Sequence, residues 1–473
     1  MKPNILLIMT DQMRGDCMGA VGHPDVKTPY LDSLISQGTV YPNAYTACPS
    51  CVPARAALHT GLKQEHHGRV GYKDRVDWDY DITLAGELAK AGYYTQCVGK
   101  MHVHPLRNTV GFHNVELHDG YLHNYRYRSG SYSDNQLHAD DYFYWLKNEK
   151  GIEADVTDTG IDCNSWVARP WIYEEKYHPT NWATTRSIDF LRRRDPRKPF
   201  FLMTSYVRPH APYDAPQAYF DMYKDKEITP PAVGDWDNLE ALERQGRIFN
   251  SSTGPLDPEL IRQQQIGYYA CITHIDHQIG RLIQSLIEYE LYNDTIIIFT
   301  SDHGELLSDH SLSRKIRPYQ GSINIPMIVR GVGQPHTVND NLVELRDVMA
   351  TALEVADVPI PESIDGISML SENNGREYLH GEHENGVFSN QYIVTKKDKF
   401  CWYSQTGKEE YFRLDIDAHE THNAIDDEEW QERIGELKHI LIEELTDREE
   451  GFTDGKSLIA GLNQVSILSN IKR

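Results

Sequence analysis

The sequence predicts an α/β protein: a large, mostly parallel sheet sandwiched by helices, followed by a smaller C-terminal α+β unit with a short antiparallel sheet. Three observations predict it. Runs such as Ile5–Thr10 and Thr295–Ser301 are continuously apolar, the pattern of central strands covered on both faces. Such runs alternate with helical spacings, the order that builds βαβ units. From residue 376 onward the texture changes to short strand candidates separated by turns.

Taken in order, Ile5–Thr10 is the first strand, and Asp11-Gln12 sits just past its carboxyl end. Pro29–Gln37 has helical spacing through Leu31, Leu34 and Ile35. Residues 41–50 lead to Cys51-Val-Pro-Ala-Arg55-Ala-Ala-Leu-His-Thr60-Gly61. Pro53 suits a helix's first turn, where its missing N–H would have no partner anyway. Cys51 then stands at a helix N-terminus, where free amide donors and the dipole attract negative charge. Arg55, one turn later, can fold back to the same corner. Leu84–Ala91 is helical and closed by Gly92, and Tyr93–Val98 is a strand running into Gly99-Lys100-Met101-His102. Trp182–Arg194 reads as a helix, and Phe200–Val207 as a strand ending in Arg208-Pro209-His210. The long amphipathic helix Pro258–Tyr289 feeds the strand Thr295–Ser301, which ends in Asp302-His303-Gly304.

Pro326–Arg330 completes the expected sheet; Val343–Leu353 reads as a helix and Val358–Ser363 as a linker. Residues 104–181 and 213–256 lack strong patterns and read as long loops over the sheet edge, of the kind that form lids or substrate walls. Glu377–His380, Gln391–Thr395, Phe400–Ser404 and Glu410–Leu414 are short strand candidates, and Asp427–Leu445 is an amphipathic helix. Gly451–Arg473 is a tail or an arm toward another subunit. The expected division is 1–365 and 366–473.

Composition narrows the function. A hydrophobic content of 40% with 25% charged residues describes a soluble globular chain. A net charge of −23 argues against nucleic acid or an anionic membrane as partner. An acidic protein that handles anions must concentrate its cations in a cleft. The seven cysteines include one C-x-x-C, Cys48 and Cys51, without a second pair, which argues against a zinc ribbon and suits a reducing compartment. The first apolar run is too short for a signal peptide, and no run of about 18 apolar residues exists to span a membrane. The expected location is therefore cytoplasmic, although a chain already trimmed of its leader would read the same.

Four strands end in polar clusters: Asp11/Gln12, Lys100/His102, His210 and Asp302/His303. Parallel strands share one carboxyl edge, and open α/β sheets bind ligands there, so residues from opposite ends of the chain are expected to meet. Asp11, Gln12, Asp302 and His303 offer two carboxylates, an amide oxygen and an imidazole. Hard divalent cations such as Ca²⁺ or Mg²⁺ prefer such a set, and the imidazole also admits Mn²⁺. The shortage of thiolates argues against structural zinc.

The eleven residues from Cys51 to Gly61 resemble the sulfatase signature Cys-x-Pro-Ser/Ala-Arg-x-x-x-x-Thr-Gly. Cys48 is out of register, because Ser50 and Val52 then fall where Pro and Arg belong. Asp11-Gln12, Gly99–His102, Pro209–Pro212, Asp302–Gly304 and Lys315 also occur in the order of sulfatases of the alkaline phosphatase superfamily. Thr273–Asp276 through Gly280-Arg281-Leu282 is similar to the family's helix before the second metal strand, and Leu414–Asp417 with Glu420–Asn423 to its C-terminal segment. The resemblance spans residues 3–335 and, more weakly, 376–445.

It implies an alkaline phosphatase-like fold and a sulfuric ester hydrolase. It implies that a sulfatase-maturating enzyme oxidises Cys51 to formylglycine, whose hydrate is both nucleophile and metal ligand. In that reading Arg55 holds the hydrate, and Lys100 and Lys315 bind sulfate oxygens. His102 is the base that expels sulfate, His210 the acid on the leaving alcohol, and Asp302 the acceptor of the nucleophile's proton. Asp11, Gln12, Cys51, Asp302 and His303 hold the metal, Ca²⁺ first. The substrate implied is a small or oligosaccharide sulfate ester. Gln12 departs from the paired aspartates of many sulfatases, and that version is similar to choline sulfatases, several glycan sulfatases and phosphonate monoester hydrolases. A phosphonate monoester or phosphodiester hydrolase is accordingly the second expectation. A non-catalytic binding protein is the third, and the filled set of site positions argues against it.

Overall fold

The computed structural model describes residues 2–120, 139–237, 251–255, 257–332, 335–372 and 374–471. Parts of the two long loop regions (121–138, 238–250 and 256) and the end of the tail (472–473) lie outside the described residues.

Fourteen strands are described. The large sheet has eight, in the order β5-β4-β6-β1-β7-β8-β2-β9. They are β1 (Asn4–Asp11), β2 (Gly38–Val40), β4 (Tyr94–Gly99), β5 (Asn114–Leu117), β6 (Phe200–Pro209), β7 (Thr295–Ser301), β8 (Met327–Arg330) and β9 (Thr337–Val338). All neighbours pair in parallel except β8, which runs against both β7 and β2.

The central strands are apolar throughout because both of their faces are covered. Leu6 and Ile8 of β1 pack into one hydrophobic layer, and Ile5, Leu7 and Met9 into the other. The first layer is closed by helices α1 (Pro29–Ser36), α4 (Pro179–Arg193) and α5 (Pro258–Glu288), and the second by α2 (Cys51–Thr60), α3 (Leu84–Lys90) and α6 (Asp347–Val355).

Register is what builds the site. Thr10 lies opposite Ser301, Asp11 opposite Pro209, and Gly99 opposite Ser205. The residues that follow these partners, Lys100, His210 and Asp302, therefore leave the sheet at one level, beside Asp11. Gly99 is specified by geometry: its φ is +103°, and a Cβ there would lie 2.0 Å from the Ser205 carbonyl oxygen.

The sheet does not end at Arg330 as the sequence suggested. β2 and β9, three and two residues long, extend its edge and are too short for periodicity to detect. The expected helix Val343–Leu353 begins later. Val343–Glu344 is strand β10, paired with β3 (Ala44–Tyr45), and the helix starts at Asp347. The stretch 104–181 is not all loop. It contains β5 and a helix over Asp141–Lys150, whose cap is the Asp140 carboxylate accepting from Phe143 N.

The four short strands expected near the C-terminus form an antiparallel meander, β11 (Leu379–His383), β12 (Asn390–Val394), β13 (Lys399–Tyr403) and β14 (Glu409–Phe412). One face buries Ile393, Phe400, Trp402 and Tyr411 against Leu437 and Leu441 of α7 (Gln431–Glu444). The other face packs Leu379, Tyr392, Val394 and Cys401 against Tyr45, Ile323 and Leu342 of the large unit. The final segment returns to the same chain: Val70 N donates to Ser466 O, and Leu468 N to Gly68 O.

Candidate active site

β1 ends as the backbone turns left-handed at Gln12, φ 75°. The Gln12 amide donates to Asp302 Oδ1 at 3.1 Å, and its carbonyl accepts from Tyr268 Oη at 2.7 Å. These contacts lock the tips of β1 and β7 together. Between them enters α2. Its first residue, Cys51, puts Sγ 3.6 Å from Asp11 Oδ1 and 3.3 Å from His303 Nε2. Ligand atoms of Asp11, Cys51, Asp302 and His303 all lie within 4.8 Å of one another, and all four residues are buried.

Cations ring this cluster. Lys100 Nζ pairs with Asp11 Oδ2. Arg55 Nε donates to Asp302 Oδ2 at 2.9 Å, and its Nη1 to the Lys100 carbonyl at 2.7 Å and Ser205 Oγ at 3.0 Å. Lys315 Nζ donates to Gln12 Oε1 at 2.6 Å. The other end of that amide, Nε2, donates to the buried Glu305 carboxylate. His210 is held to the β1 tip, its N–H donating to the Asp11 carbonyl at 2.9 Å, while Nδ1 lies 2.8 Å from the Ala211 carbonyl. His102, φ 59°, is placed by Asp119, whose Oδ1 accepts from the amides of Met101 and His102 at 2.8 and 3.0 Å.

The charges act on one another strongly in so buried a place. Burial raises the Asp11 carboxyl, but Lys100 and further positive charge outweigh it and hold Asp11 well below the usual carboxylate range. Burial, and then Asp11, push the Cys51 thiol up. Burial and Lys315 push His210 well down, and burial, with Lys315 against the nearby carboxylates, pushes His303 down, which favours the neutral form of both imidazoles in the free protein. A neutral His303 can offer a lone pair to a metal. Two facing carboxylates, a neutral imidazole and a position 51 at contact distance fit a hard divalent cation.

Asp11, Gln12, Cys51, Arg55, Lys100, His210, Asp302, His303 and Lys315 are thus in contact with the cluster or bonded to a member of it. Four contributors were not foreseen. Glu305 continues the Asp302-His303-Gly304 run and was legible in principle. Ser205 and Asp119 carry no local signal. His383 of β11 was also missed: its Nε2 lies 2.8 Å from Oγ of Ser50, the residue preceding Cys51. Burial, with the nearby His303, pushes His383 down to about 4.

Comparison with known proteins shows the family and the fold. The family profile for sulfatases matches residues 3–358, and that for the C-terminal region of N-sulphoglucosamine sulphohydrolase matches residues 308–447. An arylsulfatase of Clostridium perfringens is 51% identical over the whole of both chains. The multifunctional alkaline phosphatase superfamily protein PehA of Trinickia caryophylli is 32% identical over 78% of this chain and 76% of its own. Among solved structures, a phosphonate monoester hydrolase of Agrobacterium radiobacter superposes with a TM-score of 0.77 at 23% identity, over 93% of this chain and 95% of its own. A protein solved with its substrate D-glucosamine-2-N,6-O-disulfate gives a TM-score of 0.73 at 20% identity, over 94% and 98%. The chain belongs to the sulfatase family, with its alkaline phosphatase-like fold. It is a sulfuric ester hydrolase. No helix among the described residues is long and apolar enough to cross a membrane.

Proposed function

We propose that the protein hydrolyses a sulfate monoester of a carbohydrate through a formylglycine made from Cys51. The observation that carries this is the placement of Cys51 Sγ 3.3 Å from His303 Nε2 and 3.6 Å from Asp11 Oδ1, with Lys100 paired to that same Asp11. The thiol sulfur stands where the oxygens of the hydrated aldehyde would be. A maturating enzyme is the partner this requires.

In this reading Asp11, Gln12, Asp302, His303 and residue 51 hold one divalent cation, Ca²⁺ by the hardness of the donors. When bound it polarises the sulfate group and lowers the pKa of hydroxyls near it. Asp302 takes the proton of the attacking hydroxyl as that oxygen bonds to sulfur and the ester S–O bond breaks. His210, whose pKa burial and Lys315 lower in the free protein, takes up a proton as the negatively charged ester binds and passes it to the departing alcohol. His102 then removes the proton of the second hydroxyl, which expels sulfate and restores the aldehyde. Arg55, fixed by Asp302, Ser205 and the Lys100 carbonyl, holds the residue 51 corner. Lys100 and Lys315 face the sulfate oxygens and offset charge in the transition state. The boundary at 365/366 is part of the proposal, supported by the separate hydrophobic cluster of β12, β13 and β14 with α7.

Gln12 favours a second reading on the same residues, a phosphonate monoester or phosphodiester hydrolase, because it removes one negative charge from the metal set. Rates on 4-nitrophenyl sulfate and 4-nitrophenyl phenylphosphonate, measured side by side with aldehyde-bearing enzyme, decide between them. The sulfate ester is expected to have the higher kcat/KM, and the reverse order assigns the enzyme to phosphonates. A screen of sulfated mono- and disaccharides and choline sulfate then narrows the natural alcohol.

A further inference from the structure

Arg317 takes no part in the machinery above. It lies two residues beyond Lys315, is 7% exposed, and sets its guanidinium carbon 3.6 Å from the ring centroid of Phe388. An arginine this buried is ordinarily paired with a carboxylate. Among the described residues it has no ion-pair partner, and its Nε has no hydrogen-bond acceptor. In a chain with 70 acidic residues against 47 basic ones, a buried cation with no carboxylate at ion-pair distance among the described residues calls for a ligand.

The loop that carries it is strained. Arg314 and Ile316 have φ values of 74° and 78°, and a β-branched residue rarely adopts such a conformation. Strain of this kind persists only where the surroundings impose it, and it gathers at ligand clamps. Here the Ile316 carbonyl accepts from Asn390 Nδ2 at 3.0 Å, and the same amide donates to the Phe388 carbonyl at 3.1 Å. Two carbonyls on one side fix the amide's orientation, which leaves Asn390 Oδ1 buried and without a donor.

The connection from β11 to β12 carries Phe388 and ends at Asn390, which lies directly opposite His383 in the sheet. His383 in turn contacts Ser50, beside Cys51. One turn of the C-terminal sheet therefore reaches from the start of the Cys51 helix to Arg317. From the other side, the Cα atoms of Arg317 and Lys315 can be no more than about 7 Å apart.

We propose that Arg317, on the wall formed by Phe388 and Asn390, binds a second anionic group of the substrate, a carboxylate or a further sulfate, next to the ester being cleaved. The planar guanidinium can meet either group with two parallel hydrogen bonds. Phe388 holds the guanidinium flat against its ring, and Asn390 fixes the wall by joining the Ile316 and Phe388 carbonyls. This assignment rests on the reading of the Cys51 pocket as the ester site.

The test compares kcat/KM on 4-nitrophenyl sulfate with that on a panel of doubly anionic aryl sulfates. The panel holds 2-, 3- and 4-sulfooxybenzoate and the bis-sulfates of resorcinol and hydroquinone. Wild type is expected to favour at least one panel member through a lower KM, and the carboxylate and sulfate arms tell the two anions apart. In Arg317→Ala that preference, expressed as a ratio to 4-nitrophenyl sulfate, is expected to fall about tenfold, the worth of one charge-assisted contact. Arg317→Lys should retain part of it. A wild type without preference for any panel member overturns the assignment, and that arm needs no variant to fold. A ratio unchanged in Arg317→Ala overturns it equally. Failure of aldehyde-bearing wild type on every ester would instead overturn the sulfatase reading of the pocket.

Discussion

Lys100 and Asp11 are each buried from solvent and each depend on the other. Asp11 stays ionised because Lys100 leads the positive charge around it, and Lys100 is pushed above its ordinary value, against burial, by Asp11 and then Cys51. In the proposed mechanism Lys100 also faces the transferring sulfate. Lys100→Ala is therefore expected to lower kcat on 4-nitrophenyl sulfate by on the order of 10²–10³. Breaking a buried ion pair also costs about 3–5 kcal/mol of stability, so the thermal midpoint must be followed in parallel. A folded variant that loses less than about tenfold in kcat would remove Lys100 from the transition state. The sequence made this residue legible because it stands just past the carboxyl end of a strand. The same logic exposed Asp11, His210, Asp302 and His303. It could not find Asp119 or Ser205, whose roles come from chain segments that meet only in the folded state.

Strand ends do the positioning, and two of them make separate predictions. At the end of β4, Gly99 combines a left-handed φ with a 2.0 Å approach of any Cβ to the Ser205 carbonyl. Gly99→Ala is expected to destabilise the protein by about 1–3 kcal/mol and to cost activity with it, because Lys100 is the next residue. Urea unfolding and turnover check this, and full activity at wild-type stability would contradict it. At the end of β6, Arg208 and Asp214 form two hydrogen bonds of 2.6 and 2.7 Å across the loop that carries His210. Burial raises the Asp214 carboxyl, but Arg208 and His178 draw it down from 3.8 to about 2. A folded-state value below the unfolded one stabilises the protein above the unfolded pKa, and this gain is lost as pH falls through about 2. A depression of that size corresponds to about 2 kcal/mol. Asp214→Asn should therefore flatten the stability profile between pH 4 and 2. Urea midpoints over that range measure it, and an unchanged slope would show that the pair contributes nothing. The long elements were legible because their patterns repeat over many residues. β2, β9 and β10 were not, since two or three residues hold no period and their pairing comes from the neighbours.

On the scale of the molecule, the fold concentrates scarce positive charge. A chain of net charge −23 places Arg55, Lys100 and Lys315 around two buried carboxylates at one sheet edge, from segments far apart in sequence. The four-stranded sheet completes the surroundings through His383 at Ser50. That contact had no signal in the sequence, because nothing near residue 383 indicates which part of the large unit the sheet will cover. The role proposed for position 51 is that of an aldehyde rather than a thiol. Its most direct test follows turnover of 4-nitrophenyl sulfate against the fraction of the position 51 peptide that carries the aldehyde by mass spectrometry. Preparations made with varying amounts of a maturating enzyme supply the range. Activity is expected to rise in proportion to the aldehyde fraction and to vanish with the unmodified thiol. Equal activity at every fraction, or none in fully converted enzyme, would contradict the account.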